Sequence, residues 1–136
     1  MMILILDDDP GRHEYFRRTL VDHVLIHVST YQAAVLMLSS MGAFDEVYLD
    51  RDLNHWGSVS KDARGKELTG EDVVDFIVNE LPRERWPKRV IVHSQNKRGA
   101  KRMFDALDDA GIYTVLDPFP YETVRHGGYY ESSFRR

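Results

Sequence analysis

The 136-residue sequence predicts an α/β protein in which a parallel sheet carries helices on both faces. Three observations lead there. Short apolar runs alternate five times with segments of helical period. The first run, Met-Ile-Leu-Ile-Leu, is apolar at every position, as a strand buried on both faces must be. Finally, the first, third and fourth runs each stop at polar, chemically capable residues.

The elements follow in order. The first strand, residues 2–6, ends at Asp7-Asp8-Asp9. A helix over residues 10–22 has Asp9 as its N-cap, Pro10 at the first helical position, and Tyr15, Phe16 and Leu20 on one side. Residues 24–28 form a second, β-branched strand. Ser29 or Thr30 caps a second helix running to about residue 41, where Gly42 ends it. A third strand at residues 46–49 stops at Asp50. Residues 51–68 are polar and lack a period, the mark of a functional or mobile loop; His55 and Trp56 lie in it. Thr69 and Asp72 resemble a capping box for a third helix ending near residue 81. A fourth strand covers residues 89–92, a fourth helix 96–110 with Gly111 as its stop, and a fifth strand 112–116. The last twenty residues are rich in Tyr, Gly, Ser and Arg and show weak helical signal. This sets a domain at residues 1–119 and a C-terminal tail at 120–136.

Composition narrows the chemistry. Without cysteine, the chain has no disulfide, thiolate catalysis, zinc ribbon or iron–sulfur cluster. The hydrophobic fraction of 43% is that of a globular protein. No apolar run reaches the length of a membrane span, and residues 1–6 are too short and too soon acidic for a signal peptide, so the cytoplasm is the expected location. A net charge of -4 argues against a globally basic nucleic-acid coat. Basic residues concentrate in residues 83–102, eight against the single acid Glu84, so any anionic partner is expected at one place.

In an open parallel sheet, ligands sit beyond the carboxyl ends of the strands, where strand order reverses. Asp7, Asp8, Asp50 and Asp52 converge there if the first and third strands are neighbours. Carboxylates that close cannot all ionise cheaply, so a positive partner is expected among them. A hard divalent cation, Mg²⁺ or Mn²⁺, bound by Asp7, Asp8 and Asp50 is the natural candidate. The segment His93-Ser94-Gln95-Asn96-Lys97-Arg98 opens the fourth helix, whose free N–H groups attract anions, so Ser94, Asn96, Lys97 and Arg98 are candidate phosphate ligands, with Arg12 as a further contact. Gly99 permits close approach of a ligand or strand. His93 is a candidate acid–base group, metal ligand or phosphate donor, or else a buried structural imidazole. His13, His23, His27 and His126 have no partners by spacing and read as surface or packing residues.

Together these residues resemble the receiver domain of bacterial response regulators over about residues 1–119. The resemblance implies a flavodoxin-like three-layer sandwich with a five-stranded parallel sheet of order 2-1-3-4-5, whose last helix reads as degraded in this chain. The acidic pair matches Asp7–Asp8, the phospho-acceptor position matches Asp50, and the hydroxyl matches Ser94. Receivers end the fifth strand with Lys-Pro-Phe, where this chain has Asp117-Pro118-Phe119. The sequence is still more similar to the cyclic-phosphate-processing receivers. That pattern contains Leu-Asp-His-Asp-Leu, Thr-Gly and His-Ser-x-Asn-x-x-Gly-x-x-x-Met. Here the matching residues are Leu49-Asp50-Arg51-Asp52-Leu53, Thr69–Gly70, and His93, Ser94, Asn96, Gly99 and Met103, with Arg51 replacing the usual histidine.

The leading functional expectation is a metal-dependent phosphoesterase acting on a cyclic or terminal phosphate of a nucleotide, another phosphorylated small molecule or an RNA end. Asp50 and its neighbours hold the cation, Asp52 ligates it or orients water, and His93 protonates the leaving alkoxide. The alternative is a divergent receiver acting as a non-enzymatic signalling or protein-binding module, whose tail (Tyr121, Tyr129, Tyr130) reaches a second subunit in a homodimer. A nucleic-acid-binding accessory using residues 83–102 ranks last.

Overall fold

In the computed structural model, which describes residues 1–54, residues 60–118 and the backbone of residues 130 and 131, six strands form one sheet in the order β2-β1-β3-β4-β5-β6. The strands are β1 (Met2–Leu6), β2 (Val24–Val28), β3 (Glu46–Leu49), β4 (Val90–Val92), β5 (Thr114–Leu116) and β6 (Tyr130–Glu131). The helices are α1 (Pro10–Thr19), α2 (Tyr31–Ser40), α3 (Gly70–Asn79) and α4 (Lys97–Asp109), with a single 3₁₀ turn at Arg83–Arg85. The five parallel strands stand in the expected order. β6 is an addition to it, pairing antiparallel with β5 through Leu116↔Tyr130 and Val115↔Glu131. Two residues are too few to leave a period in a sequence. His55, Trp56, Phe119, Tyr121, His126 and Tyr129 lie outside the described residues.

Strand alternation divides the core. Leu4, Leu6, Val47, Leu49, Val90 and Val92 point to one side and pack against Ala34, Leu38, Val73, Ile77, Met103 and Leu107 of α2, α3 and α4. Ile3 and Ile5 point to the other side and meet Phe16 of α1, with Leu20, Leu25 and Tyr48 around them. Each fully buried Leu or Ile contributes about 1.5–3 kcal/mol.

The local signals acted largely as read. Asp9 accepts from the Gly11 N–H at 2.8 Å, and Thr69 with Asp72 forms a reciprocal capping box. α1 ends at Thr19, three residues before the expected stop, because Val24 must already lie beside Met2 in the β1–β2 ladder. The long loop is tied to the second helix, since the Ser60 hydroxyl accepts the Tyr31 N–H at 3.0 Å and Asn54 accepts the Ser60 N–H at 2.8 Å.

Gly70 fixes where α3 begins. A Cβ there would lie 2.1 Å from the Asp50 carbonyl oxygen, so only glycine lets the helix start against the end of β3.

A candidate cation and phosphate site at the carboxyl edge of the sheet

The ladder runs one residue beyond β1, β3, β4 and β5. Asp7 donates its N–H to Val28 O, Asp50 to Leu6 O, His93 to Leu49 O and Asp117 to Val92 O, all at 2.9–3.1 Å. Because side chains alternate, Asp7 points the same way as Ile5, Asp50 as Tyr48, and His93 as Ile91. The fold therefore delivers two carboxylates and an imidazole to one spot. Asp7, Asp50 and His93 are 0%, 4% and 2% exposed, and one ligand atom from each lies within 4.8 Å of the others.

The positive partners expected among the acids come from the protein itself. Arg12, at the start of α1, places Nη1 3.2 Å from Asp7 Oδ2 and 3.3 Å from Asp50 Oδ2, and Nε 3.7 Å from Asp9. His93 Nε2 lies 2.7 Å from Asp7 Oδ2. Backbone donors complete the shell, with Asp9 N–H on Asp7 Oδ1 and Arg51 N–H on Asp50 Oδ1, both at 2.8 Å.

These partners separate the two acids. Burial pushes the Asp7 carboxyl up, but the His93 hydrogen bond and the charges of His93 and Arg12 outweigh it and hold the group below its ordinary value. For Asp50 burial prevails: with the adjacent Asp7 charge it raises the carboxyl to about 6, against the pull of His93, Arg12 and the Arg51 N–H. Asp50 is thus a buried carboxylate whose charge is only partly compensated.

Above it opens a cleft of about 400 Å³ lined by Asp8, Asp9, Arg12, Asp50, Asp52, Ser94, Gln95 and Asn96. Four acids face one arginine there. Asp8 borders the cleft but stands outside the Asp7–Asp50–His93 set. Asn96 caps α4 by accepting the Gly99 N–H, and the Ser94 hydroxyl accepts the Asn96 N–H, both at 3.1 Å. Lys97 and Arg98 are exposed in the first turn of α4, and their side chains make no hydrogen bond or ion pair among the described residues. Two oxygens and an imidazole nitrogen fit a divalent cation; the nitrogen suits Mn²⁺ better than Mg²⁺.

Several expectations change in three dimensions. His93 is the buried imidazole among the alternatives its sequence left open: its ring is packed beside Phe16 and Tyr48, centroids 5.6 and 6.2 Å away, bordering a separate cavity of about 280 Å³. Arg12 grips carboxylates, its Nη1 lying between Asp7 and Asp50. What approaches Gly99 is the Arg51 side chain, with Cδ 2.7 Å from the Cβ that any other residue would carry. The basic run is not one patch either. β4 separates Arg83, Arg85, Lys88 and Arg89 from Lys97, Arg98, Lys101 and Arg102, and Lys88, Arg89, Lys101 and Arg102 are paired with Asp45, Glu46, Asp105 and Glu71.

Two relationships escaped sequence reasoning. His13 donates Nε2–H to the Asp7 carbonyl at 2.6 Å, and its Nδ1 lies 2.7 Å from that of His27. Burial, then the His13 and Arg17 charges, lower the pKa of His27. Arg51, Glu71 and Arg102 form an ion-pair chain across the third and fourth helices. No spacing rule signals either, since the partners belong to different elements.

A family model for the cyclic-phosphate processing receiver domain matches residues 2–109. The chain belongs to that family. Among solved structures, a CheY-like response regulator receiver domain from Methylobacillus flagellatus is 22% identical, with 73% of each chain covered and a TM-score of 0.54. The signal receiver domain of a LuxO repressor protein from Vibrio parahaemolyticus is 20% identical, covering 88% of this chain and 78% of that one with a TM-score of 0.60. NtrX from Brucella abortus is also 20% identical at a TM-score of 0.55, over 83% of this chain but 22% of its own length. These likenesses establish the receiver fold. No curated protein sequence matches. Within this receiver domain, the described helices include none long and apolar enough to cross a membrane.

Proposed function

We propose that this receiver domain is a divalent-cation-dependent phosphoesterase acting on a cyclic or terminal phosphate of a nucleotide or RNA end. One observation carries the reading: the buried Asp7–Asp50–His93 cluster lies against an acid-lined cleft that also receives the N-terminus of α4. Asp7, Asp50 and His93 would hold the cation, with Asp8 beside them. When bound, the cation polarises a phosphoryl oxygen and acidifies water.

The chain's own groups supply the rest. Ser94, the Asn96 amide and the free N–H groups of the first turn of α4 bind the non-bridging oxygens, and Lys97 and Arg98 raise the local positive potential. Asp52 orients the attacking water. Hydrolysis of a 2′,3′-cyclic phosphate forms one P–O bond to water oxygen and breaks one to ribose. The water protons end on the released hydroxyl and the bulk solvent. His93, buried and bonded to Asp7, fits the part of ligand or anchor better than that of acid for the leaving group. The test is release of monophosphate from 2′,3′-cyclic nucleotides with Mn²⁺: turnover that Asp50→Ala abolishes supports the reading, and no turnover by pure protein sinks it.

The likenesses in sequence and fold extend only to the receiver domain, and on that count they favour a second reading, a divergent receiver that signals or binds protein without catalysis and pairs as a homodimer. A stable acyl phosphate on Asp50 after treatment with a small phosphoryl donor would select it. Asp117, where receivers carry lysine, argues against that product, because a carboxylate repels a phosphoryl group.

A further inference from the structure

We propose that Arg51 is a positioning residue that sets the Asp52 carboxylate in the cleft, an assignment that rests on the phosphoesterase reading for its catalytic consequence. Asp52 lines the cleft and Arg51 does not. The Arg51 side chain instead crosses the first turn of α4, where the missing Cβ of Gly99 leaves room for its stem. Its guanidinium forks, Nη1–H donating to Asp52 Oδ1 and Nε–H to Glu71 Oε2, each at 2.8 Å. Glu71 is itself held from α4, its Oε1 accepting Arg102 Nε–H at 2.9 Å and its Oε2 accepting Arg102 Nη2–H at 2.8 Å. The remaining oxygen of Asp52 lies 3.4 Å from the Asn96 amide nitrogen.

The clamp thus ties three elements, and among the described residues its side-chain bonds reach the cleft only through Asp52. A carboxylate on a loop samples several rotamers; one gripped by a planar fork anchored at its far end keeps one. Lysine cannot replace it, since a single ammonium point charge does not reproduce a fork spanning two carboxylates on different elements. Supporting groups of this kind typically change activity by about 10–100-fold when removed.

The experiment compares Arg51→Met, Arg51→Lys, Asp52→Asn and the Arg51→Met/Asp52→Asn double variant in Mn²⁺-supported cyclic-nucleotide hydrolysis. Arg51→Met should lower kcat about 10–100-fold with KM within about threefold, and Arg51→Lys should fail to restore it. The double variant should be no slower than Asp52→Asn alone, because Arg51 acts through Asp52. Independently, the ¹³C carboxyl resonance of Asp52, assigned by its loss in Asp52→Asn, should move in Arg51→Met while that of Asp50 holds. Multiplying losses in the double variant, or an unmoved Asp52 resonance, overturn the assignment. If the wild-type protein hydrolyses nothing, the phosphoesterase reading fails and the resonance alone decides Arg51. Should Arg51→Met not fold, Gly99→Ala and Glu71→Gln disturb the same side chain and must move the same resonance.

Discussion

Nε2 of His93 lies 2.7 Å from Oδ2 of Asp7, joining side chains from sequence positions 86 residues apart at a place solvent hardly reaches. The contact spans β1 and β4, which are not neighbours: β3 runs between them. It holds the floor of the cleft together.

Removing the imidazole should therefore cost stability as well as function. His93→Ala leaves a buried Asp7 oxygen with Arg12 as its remaining side-chain partner, and the loss of one donor to a buried acceptor costs about 1–3 kcal/mol. Urea unfolding should show this, with His93→Gln recovering part of it through an amide N–H. A variant as stable as wild type would mean that the contact is idle.

Asp50 should make the protein more stable in mild acid than its other acids would suggest. Its folded-state pKa, about 6, lies above the ordinary 3.8, so charging it opposes folding. That cost is fully present above pH 6 and gone below pH 3.8. Asp50→Asn is then expected to stabilise the metal-free protein at pH 7.5 by on the order of 2 kcal/mol, with the gain fading toward pH 4. Thermal melts at the two pH values check it; a gain that does not depend on pH is the contrary result.

The same titration governs cation binding. A protonated Asp50 is a poor ligand, so Mn²⁺ affinity should be flat above pH 6 and fall about tenfold per unit below it. Calorimetric titration between pH 5 and 7.5 reads this directly, and Asp50→Ala should bind weakly throughout.

Two glycines should respond differently to the same methyl group. At Gly70 the added carbon meets the Asp50 carbonyl, which cannot move without disturbing β3, so Gly70→Ala should cost about 2–3 kcal/mol and damage the site. At Gly99 it meets the flexible stem of Arg51, and Gly99→Ala should cost about 1 kcal/mol or less while displacing that side chain. Equal losses would contradict the contact geometry.

Glu71 gives the acid limb. Hydrogen bonds from Arg102 and Arg51 and their charges hold its pKa at about 2 against the opposing effect of burial. A lowered pKa contributes stability above about 4.5 that is lost as pH falls through 2. Glu71→Gln should therefore cost about 1 kcal/mol at pH 7, as for a partly exposed network, and next to nothing once the pH is below 2.

The strands and helices were legible because each signal is local. An apolar run closed by Asp7, a Pro10 at a helix start and a Thr69–Asp72 cap act within a few residues of themselves. Even the site's address was readable, since it follows from strand ends. Arg12 shows the limit. Its charge suggested a phosphate contact, yet its partners are Asp7 and Asp50, and only the packing of α1 against the sheet sets that distance.

The element order, the parallel sheet and the gathering of Asp7, Asp50, Asp52, His93 and Asn96 at one edge follow from the order of residues alone, because backbone alternation and strand polarity leave little choice. Packing in three dimensions settles which acid carries the raised pKa, that His93 bonds Asp7 across β3, and that Arg51 turns from the cleft to grip Asp52 and Glu71. Those outcomes depend on burial and on distances of about 3 Å between side chains from different elements, which fall off too steeply with position for any one-dimensional pattern to encode.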